Sequence, residues 1–390
     1  MSAMPQLAPS TQKLILIVDD TPLNISAISG ALKDAYKTKV ATNGEKALAL
    51  ASGEEKPDLI LLDILMPGMD GYEVCARLKA DPTTSEIPVI FLTGQTSAED
   101  ETRGFAVGGV DYVHKPFSPA VVKARVRSHI LLREARAQLA AQLLALNNEL
   151  EMARQIQLSI LPRSVPRIPG LDIAARFLPM TSVAGDFYDF IRIDDKHIGM
   201  LIADVSGHGL PSALIASMLQ VALAGQAAHA SEPAKVLNGL NRALSGKFVQ
   251  NFVTAAYLYL DLEKERLRYA GAGHPPLLQW RHSTRKTATI VENGLVLGVV
   301  EDAEYKALEH PLEPGDRYVL YTDGVLEAAN TVEELFGADR FMRFIENNIH
   351  LGADPFTEAL LGELARWTEQ TAETGQQDDI TLLVTDFKHP

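Results

Sequence analysis

The sequence predicts an α/β protein with two domains: a five-stranded, doubly wound parallel sheet and an α+β layered domain, joined by a long connecting helix. Three observations predict this architecture. Short apolar runs alternate with amphipathic stretches up to about residue 130, a segment without proline or glycine follows to about residue 161, and strand-like pairs mixed with helices fill the remainder. Strict alternation is typical of parallel sheets covered on both faces, whereas clustered hairpins favour an α+β domain.

Length and composition fit more than one globular domain. At 390 residues the chain exceeds what a single core usually holds. A net charge of −14 argues against nucleic acid or an anionic membrane as the main partner. One cysteine, Cys75, excludes an internal disulfide and favours a reducing compartment. The first dozen residues lack a secretory pattern. We therefore expect a cytoplasmic protein that binds neither nucleic acid nor membrane.

The first domain is predicted over residues 13–130. Its strands are expected at five runs: Leu14 to Val18, Lys39 to Ala41, Leu59 to Leu62, Val89 to Leu92, and Tyr112 to Val113. In such sheets functional residues collect at the carboxyl ends of the strands. The polar residues found there are Asp19, Asp20, Asp63, Thr93 and Lys115.

These strand-end residues predict a cation site with a phosphoryl acceptor. Three neighbouring carboxylates repel one another unless a cation lies among them, and oxygen ligands suit Mg²⁺. Asp63 could then act as a nucleophile toward a phosphoryl donor, with Thr93 and Lys115 in contact with the transferred group. Taken singly, an aspartate at a strand end is usually a cap and a lysine is usually a solvated charge. Their joint occurrence on successive strand ends favours a site.

The segments Leu61 to Gly71 and His114 to Phe117 resemble the receiver domain of bacterial two-component response regulators, and the resemblance extends over residues 13 to about 130. It implies that Asp63 is the phosphoacceptor and that the chain has a cognate sensor histidine kinase. It also implies a cis peptide bond before Pro116. It further implies that the carboxylates of Asp19, Asp20 and Asp63 bind Mg²⁺. The implied switch residues are Thr93, Tyr112 and Lys115.

A single long helix is predicted from Pro119 to Leu161, with residues 131–162 as a linker. Its apolar positions recur at spacings of four and three, which is the heptad pattern of a coiled coil. The helix is either a rigid spacer or one half of a parallel coiled coil that joins two chains in a homodimer, and we favour the homodimer. The seam residues are Leu139, Leu143, Leu146, Leu150, Ala153, Gln157 and Ile160.

The second domain is predicted over residues 163–390. Strand pairs are expected at 186–193 with 197–203 and at 254–260 with 266–270, helices at 211–228, 233–248 and 356–368, and a last strand at 380–387. Four aspartates stand at predicted strand edges: Asp186, Asp204, Asp323 and Asp378. Neighbouring glycines let the backbone approach an ion closely, and converging carboxylates require cations. One such motif usually marks only a turn, but four favour a two-metal site that activates water against a phosphate.

Together with the lead-in from Gln155 to Pro162, these motifs resemble the PPM-type phosphatases, in the bacterial branch that includes SpoIIE and RsbU, over about residues 150–388. The resemblance implies two Mn²⁺ or Mg²⁺ ions and hydrolysis of phosphoserine or phosphothreonine without a phosphoenzyme. The implied ligands are the four aspartates Asp186, Asp204, Asp323 and Asp378, together with the backbone carbonyl of Val205. Asp379 and His208 are implied to support the site.

Two motif positions add detail. Ala184 stands where many relatives have glycine, which matters only if that residue needs a positive φ. His208 and His274 also lie in family motifs. For each of them we favour the orientation of a loop over the alternative role of proton donor.

The function implied is a phosphatase output controlled by phosphorylation of Asp63, with a phosphorylated anti-sigma-factor antagonist as substrate. The alternative is a non-catalytic sigma-factor or anti-sigma adaptor built on the same domains. Some receiver–phosphatase fusions of that kind have lost their metal carboxylates, whereas all four acidic positions are filled here. A DNA-binding regulator is disfavoured, because no basic helix-turn-helix follows the first domain and the charge has the wrong sign.

Overall fold

The computed structural model describes residues 12–94, 98–248, 250–369 and 378–388, without the side chains of residues 98–101. The chain forms two compact units, residues 1–145 and residues 146–390. Within the described ranges, no helix combines the length and the apolar character needed to cross a bilayer.

The first unit contains a five-stranded, all-parallel sheet in the order β2-β1-β3-β4-β5, which confirms the predicted fold class. The strands are β1 (Leu14–Val18), β2 (Lys37–Ala41), β3 (Leu59–Asp63), β4 (Val89–Thr93) and β5 (Asp111–His114). The helices between them are α1 (Pro22–Leu32), α2 (Gly44–Ala51), α3 (Gly71–Ala80) and α4 (Ala98–Ala106).

Alternate residues of the central strands supply two hydrophobic cores, one on each face of this sheet. Leu16 on β1 packs in the core that includes Val74 of α3. Ile15, one position earlier, packs in the opposite core with Ile28 of α1 and Val126 of the next helix. Because all five strands run in the same direction, their carboxyl ends lie along one edge of the sheet.

Helix α5 (Pro119–Ile160) is continuous over 42 residues, which confirms the predicted long helix. Its first turns are amphipathic, and Val122, Val126 and Ile130 are buried in the first unit. Further along, most of its residues are exposed, including the predicted seam positions Leu139 and Leu143.

The second unit consists of two sheets with helices on their outer faces, as an α+β layered domain should. One sheet has the order β13-β10-β9-β8-β7, with β14 beside β10, and the other has the order β12-β11-β15-β16-β6. The first sheet contains β7 (Phe187–Arg192), β8 (His197–Val205), β9 (Val253–Asp261), β10 (Arg266–Ala272), β13 (Asn293–Gly294) and β14 (Leu308–Pro311). The second contains β6 (Leu171–Leu178), β11 (Leu277–Arg281), β12 (Lys286–Ile290), β15 (Arg317–Tyr321) and β16 (Ile380–Phe387).

The helices of this unit are α6 (Leu210–Ala224), α7 (Pro233–Leu244), α8 (Gly337–Asn347) and α9 (Ala353–Trp367). Leu219 of α6 and Leu240 of α7 share a core with β8 and β9, and that core also includes Leu320 of β15 and Leu383 of β16. A separate core joins the outer face of the second sheet to α8 and α9, with Phe341 and Phe356 fully buried.

Several elements of the second unit were not predicted. They are α8 and the strands β6, β11, β12, β13 and β14, whereas β15 was predicted only as a strand, without bounds, whose edge carries Asp323.

Candidate phosphoacceptor and metal sites

Three carboxylates meet at the carboxyl edge of the parallel sheet. One oxygen from each of Asp19, Asp20 and Asp63 lies within 4.8 Å of the others. Asp19 and Asp63 are buried, whereas Asp20 is exposed. The backbone N–H of Thr21 and the side-chain amide of Asn24 donate hydrogen bonds of 2.9 Å and 3.0 Å to Asp19. The fold therefore brings the three predicted carboxylates together in a cluster that fits a small, hard cation.

Lys115 provides a positive charge beside this cluster. Its ammonium nitrogen lies 2.9 Å from a carboxylate oxygen of Asp19 and 2.9 Å from one of Asp63. Burial raises the pKa of Asp63, and the hydrogen bond from Lys115 partly offsets that rise. Burial also disfavours the charged lysine, but its hydrogen bonds to Asp63 and Asp19 outweigh this effect and raise the pKa of Lys115. The lysine is thus charged and in contact with the candidate phosphoacceptor.

The predicted switch residues lie on the two neighbouring strands. Thr93 ends β4 and is buried, and its carbonyl accepts a 2.6 Å hydrogen bond from the backbone N–H of Lys115. Tyr112 is buried on β5, with its ring centroid 5.2 Å from that of Phe105. The peptide bond before Pro116 is cis, as expected.

The second candidate site lies where strands of both sheets in the C-terminal unit end. Four acidic residues are placed there: Asp186 before β7, Asp204 at the end of β8, Asp323 after β15 and Asp378 before β16. Asp186 is buried, and one of its oxygens accepts hydrogen bonds from the hydroxyl groups of Thr322 at 2.8 Å and Thr381 at 2.6 Å. Because Thr322 precedes Asp323 and Thr381 lies at the start of β16, these bonds join three of the four motifs.

Two glycines permit the close approach of these loops. A Cβ atom at Gly185 would lie 2.7 Å from the carbonyl oxygen of Val205, and one at Gly324 would lie 2.1 Å from the carbonyl oxygen of Asp379. Any side chain at either position would push the two backbone segments apart. The main chain of Val205, a predicted ligand, therefore lies against the segment that leads into Asp186.

The carboxylates of this site raise one another's pKa. Burial raises the pKa of Asp204 to about 7, and the charges of Asp323 and Asp378 contribute to the rise. Burial, followed by the charge of Asp204, raises the pKa of Asp186 well above its usual range. Burial and then Asp378 raise the pKa of Asp323. Divalent cations would relieve this mutual repulsion, and the all-oxygen donors suit Mg²⁺ or Mn²⁺.

The spacing of this site differs from that of the first. Among the described residues, no three of its carboxylates have oxygens within 4.8 Å of one another, so it is the wider of the two sites. Glu327, which the sequence analysis did not single out, is exposed, and its charge raises the pKa of both Asp204 and Asp323. Its position one helical turn after Asp323 was the available signal.

Two family models match the chain. One is the response regulator receiver domain, over residues 15–127, and the other is Stage II sporulation protein E (SpoIIE), over residues 194–388. The chain belongs to the SpoIIE family of protein serine/threonine phosphatases. Its N-terminal part is a response-regulator receiver domain, and membership of the phosphatase family implies dependence on divalent metal.

Individual relatives agree with this assignment. "Phosphoserine phosphatase RsbU" of Bacillus subtilis (strain 168) is 31% identical over 240 residues, which is 61% of this chain and 70% of RsbU. The SiaA-PP2C domain of Pseudomonas aeruginosa superposes with a TM-score of 0.57 at 26% identity, over 64% of this chain and all of that domain. "Response regulator PleD" of Caulobacter vibrioides is 43% identical over 115 residues, covering 29% of this chain and 25% of PleD.

The supporting residues of the SpoIIE-family domain have distinct surroundings. Both carboxylate oxygens of Asp379 accept 2.7 Å hydrogen bonds, from the backbone N–H groups of Met180 and Gly185. Asp379 thereby fixes the loop before Asp186, as a supporting residue would. His208 is exposed in the loop between β8 and α6. The backbone at Ala184 lies outside the left-handed region, so its methyl group causes no strain.

One contact of the phosphatase domain was not predicted from the sequence. Gln157, near the end of α5, is buried, and its side-chain amide donates a 2.6 Å hydrogen bond to the carbonyl of Ala184 and accepts one of 2.9 Å from the N–H of Ala184. Assigning Gln157 to the coiled-coil seam was therefore wrong, because its side chain is occupied within its own chain. The signal available was a glutamine at a position where the heptad pattern calls for an apolar residue.

Proposed function

We propose that this chain is a cytoplasmic response regulator whose phosphatase domain removes phosphate from serine or threonine of a protein under the control of Asp63. In this proposal residues 13–130 form the receiver, residues 131–162 the linker and residues 163–390 the phosphatase domain. The observation that supports it most directly is the convergence of buried and half-buried carboxylates at one end of both C-terminal sheets, where desolvation and mutual repulsion raise the pKa values of Asp186, Asp204 and Asp323.

The proposed phosphatase site holds two Mn²⁺ or Mg²⁺ ions. Its proposed ligands are Asp186, Asp204, Asp323, Asp378 and the carbonyl oxygen of Val205. When bound, two such ions activate water and orient a phosphate ester for in-line attack. The hydroxyl groups of Thr322 and Thr381 fix the direction of Asp186. Asp379 fixes the preceding loop, and His208 is proposed to act from the loop after Asp204.

The proposed receiver site binds Mg²⁺ through Asp19, Asp20 and Asp63, and Asp63 accepts a phosphoryl group from a cognate sensor histidine kinase. Lys115 already contacts Asp63 at 2.9 Å, so its ammonium group is placed to meet a phosphoryl group formed there. Thr93 and Tyr112, on the adjacent strands, would respond to that group.

The linker is proposed to form a parallel homodimer. The side chains of Leu139, Leu143 and Leu146 are 57%, 52% and 51% exposed, and these leucines follow the heptad spacing. A row of leucines left in water at that spacing is stabilised when a second helix covers it. The proposed seam ends before Gln157, whose side chain is buried in its own chain.

The proposed substrate is a phosphorylated protein, and an anti-sigma-factor antagonist is the candidate that the family resemblance favours. The name of the relative RsbU, a phosphoserine phosphatase, supports phosphoserine as the target residue. Nucleic acid and membrane are not proposed as partners, since the net charge is −14.

A dephosphorylation assay tests the proposal. The full-length chain would be incubated with phosphoserine-bearing candidate antagonists and Mn²⁺, with and without a small phosphodonor. We expect phosphate release that excess chelator abolishes and that Asp204→Asn and Asp323→Asn each reduce at least a hundredfold with unchanged circular dichroism. Asp302→Asn, a change at an exposed acid of the same unit, is the control. Turnover that persists in chelator, or in both variants, contradicts the metal site, and no turnover by any of the proteins favours the non-catalytic adaptor.

A further inference from the structure

His274 lies in the segment between β10 and β11 and is 2% exposed. Its Nδ1 atom is 2.9 Å from the hydroxyl oxygen of Thr254. Its backbone carbonyl accepts a 3.0 Å hydrogen bond from the amide of Asn293, and Gly273, just before it, has a φ of 69°. The segment is therefore held in place by its main chain, and the imidazole is directed by Thr254.

The partner of His274 lies beside a candidate metal ligand. Thr254 on β9 pairs directly with Asp204 on β8 in the antiparallel register. Side chains that are directly opposite in such a pair lie on the same face of the sheet, with Cβ atoms about 4.5–5.5 Å apart. His274 thus contacts the side chain next to Asp204, on the face from which Asp204 projects.

The imidazole also lies near a strand of the second sheet, β15. Among the described residues, Nε2 is a buried nitrogen without a hydrogen-bond partner. Burial lowers the pKa of His274 to about 3, and the backbone of Tyr321 acts in the opposite direction. The imidazole is therefore neutral and lies near the end of β15, two residues before Asp323. If the Thr254 hydroxyl donates to Nδ1, the ring proton is on Nε2 and is available to the Tyr321 carbonyl.

We propose that His274 is a positioning residue of the metal site, which sets the spacing between Asp204 on one sheet and Asp323 at the end of the other. This inference rests on the proposed metal site and adds a residue to it. A neutral imidazole with Nδ1 on Thr254 and the backbone of Tyr321 nearby places a further polar group between the two sheets. It adds to the hydrogen bonds that Asp186 accepts from Thr322 and Thr381. Residues that orient metal ligands in this way typically change metal affinity by about 10–100-fold when they are removed.

The test is the affinity of the full chain for Mn²⁺, measured by titration calorimetry and by the electron paramagnetic resonance of free Mn²⁺. The informative variants are His274→Phe, His274→Asn and Thr254→Val, the last of which removes one hydroxyl at nearly constant shape. His197→Phe is the matched control, because His197 begins the same strand β8 about 23 Å from Asp204. Wild type and Asp204→Asn are measured alongside.

We expect His274→Phe and Thr254→Val to weaken Mn²⁺ binding about tenfold or more, with the KM for phosphoprotein unchanged at saturating Mn²⁺. His274→Asn, whose amide can replace Nδ1 opposite Thr254, should recover part of the loss, and His197→Phe should bind Mn²⁺ as wild type does. A Mn²⁺-binding step of wild type that is lost in Asp204→Asn establishes the phosphatase site itself, because the carboxylates of the receiver site are unchanged in that variant. Given that result, Mn²⁺ affinity within twofold of wild type in both Thr254→Val and folded His274→Phe overturns the proposed role of His274. The proposed metal site would still stand.

Discussion

Asp204 shows how a residue suited to binding a metal weakens the protein that contains it. Its carboxylate is half-buried beside other acids, and its pKa is raised to about 7, from about 3.9 in an unfolded chain. At pH values between these two pKa values, the carboxyl group of Asp204 is protonated in the folded state and ionised in the unfolded state. The metal-free protein therefore has its full stability below about pH 4 with respect to this group, and loses that contribution as the pH rises to about 7.

Replacing this carboxylate should stabilise the metal-free protein. At pH 8 in excess chelator, we expect Asp204→Asn to raise the free energy of unfolding of the phosphatase domain by on the order of 2 kcal/mol, because the amide cannot be charged. Calorimetry of the full chain measures this, with the transition that Mn²⁺ shifts taken as that of the phosphatase domain. Adding Mn²⁺ should reverse the order, since wild type alone gains binding energy. A variant no more stable than wild type in chelator would refute the argument.

Asp63 is the second residue at which a single change should be decisive. Asp63→Asn removes the nucleophilic oxygen while keeping the shape beside Lys115, so no phosphoryl adduct should form with acetyl phosphate and Mg²⁺. Intact-mass spectrometry measures the adduct. Asp34→Asn, at an exposed residue of the same unit, should be phosphorylated like wild type. The same adduct on Asp63→Asn would refute the assignment.

At the residue scale, the sequence singled out the acids of the candidate sites but not the groups that hold them. The carboxylates are recognisable because several acids at strand ends make sense only around cations. Thr322 and Thr381 carry no such signal, because hydroxyl groups are common on surfaces and their partners are remote in sequence. Gln157 is marked only as a polar residue at an apolar heptad position, which does not identify its partner. Gln157 and Ala184, for example, are 27 residues apart.

At the element scale, the end of α5 contacts the segment that leads into the candidate metal ligand Asp186. Gln157 forms two hydrogen bonds with the backbone of Ala184, two residues before Asp186, and Gln220 of α6 donates a 3.2 Å hydrogen bond to the carbonyl of Ile160. The last turn of the helix therefore supports the loop that leads into a candidate ligand.

Removing this contact should impair catalysis more than substrate binding. In Gln157→Leu the buried N–H and C=O of Ala184 lose their partners, at a cost of about 1–3 kcal/mol, and the loop before Asp186 loosens. We expect kcat to fall about tenfold with KM nearly unchanged, and more Mn²⁺ to be needed for half-maximal rate. Steady-state kinetics across a Mn²⁺ series test this. Gln155→Leu, at an exposed position on the same helix, is the control, and equal kinetics for the two variants would contradict the proposed support.

The elements that the sequence predicted are those with a strong local pattern. The β1, β3 and β4 strands are continuous apolar runs, and α5 is long and free of proline and glycine. The β6 strand was missed because an aspartate and an arginine interrupt its apolar residues, and it exists because it pairs with β16 along eight residues. The β14 strand is likewise defined by pairing with β10 rather than by its own four residues.

At the scale of the whole molecule, α5 is the continuous element common to both units. It begins in the first unit, where Val122 and Val126 are buried, and in its last turn the side chain of Gln157 is buried in the second unit. A receiver changes shape by small shifts, so an effect on a site in another domain needs an element that is bistable. A helix that pairs with a second copy of itself can change its pairing or its rotation.

We therefore expect the leucine seam to be required for control of the phosphatase but not for its chemistry. Polar substitution of Leu143, Leu146 and Leu150 together should give a monomer by light scattering, because a coiled coil without its apolar seam does not pair. The phosphatase rate of this variant should no longer respond to acetyl phosphate, although Asp63 is still phosphorylated and basal activity in Mn²⁺ persists. Leu144→Gln, at a residue 64% exposed but outside the seam, should keep both mass and response. A triple variant with unchanged mass and an unchanged response would show that the helix is only a spacer, because a rigid rod needs no partner to keep two domains apart.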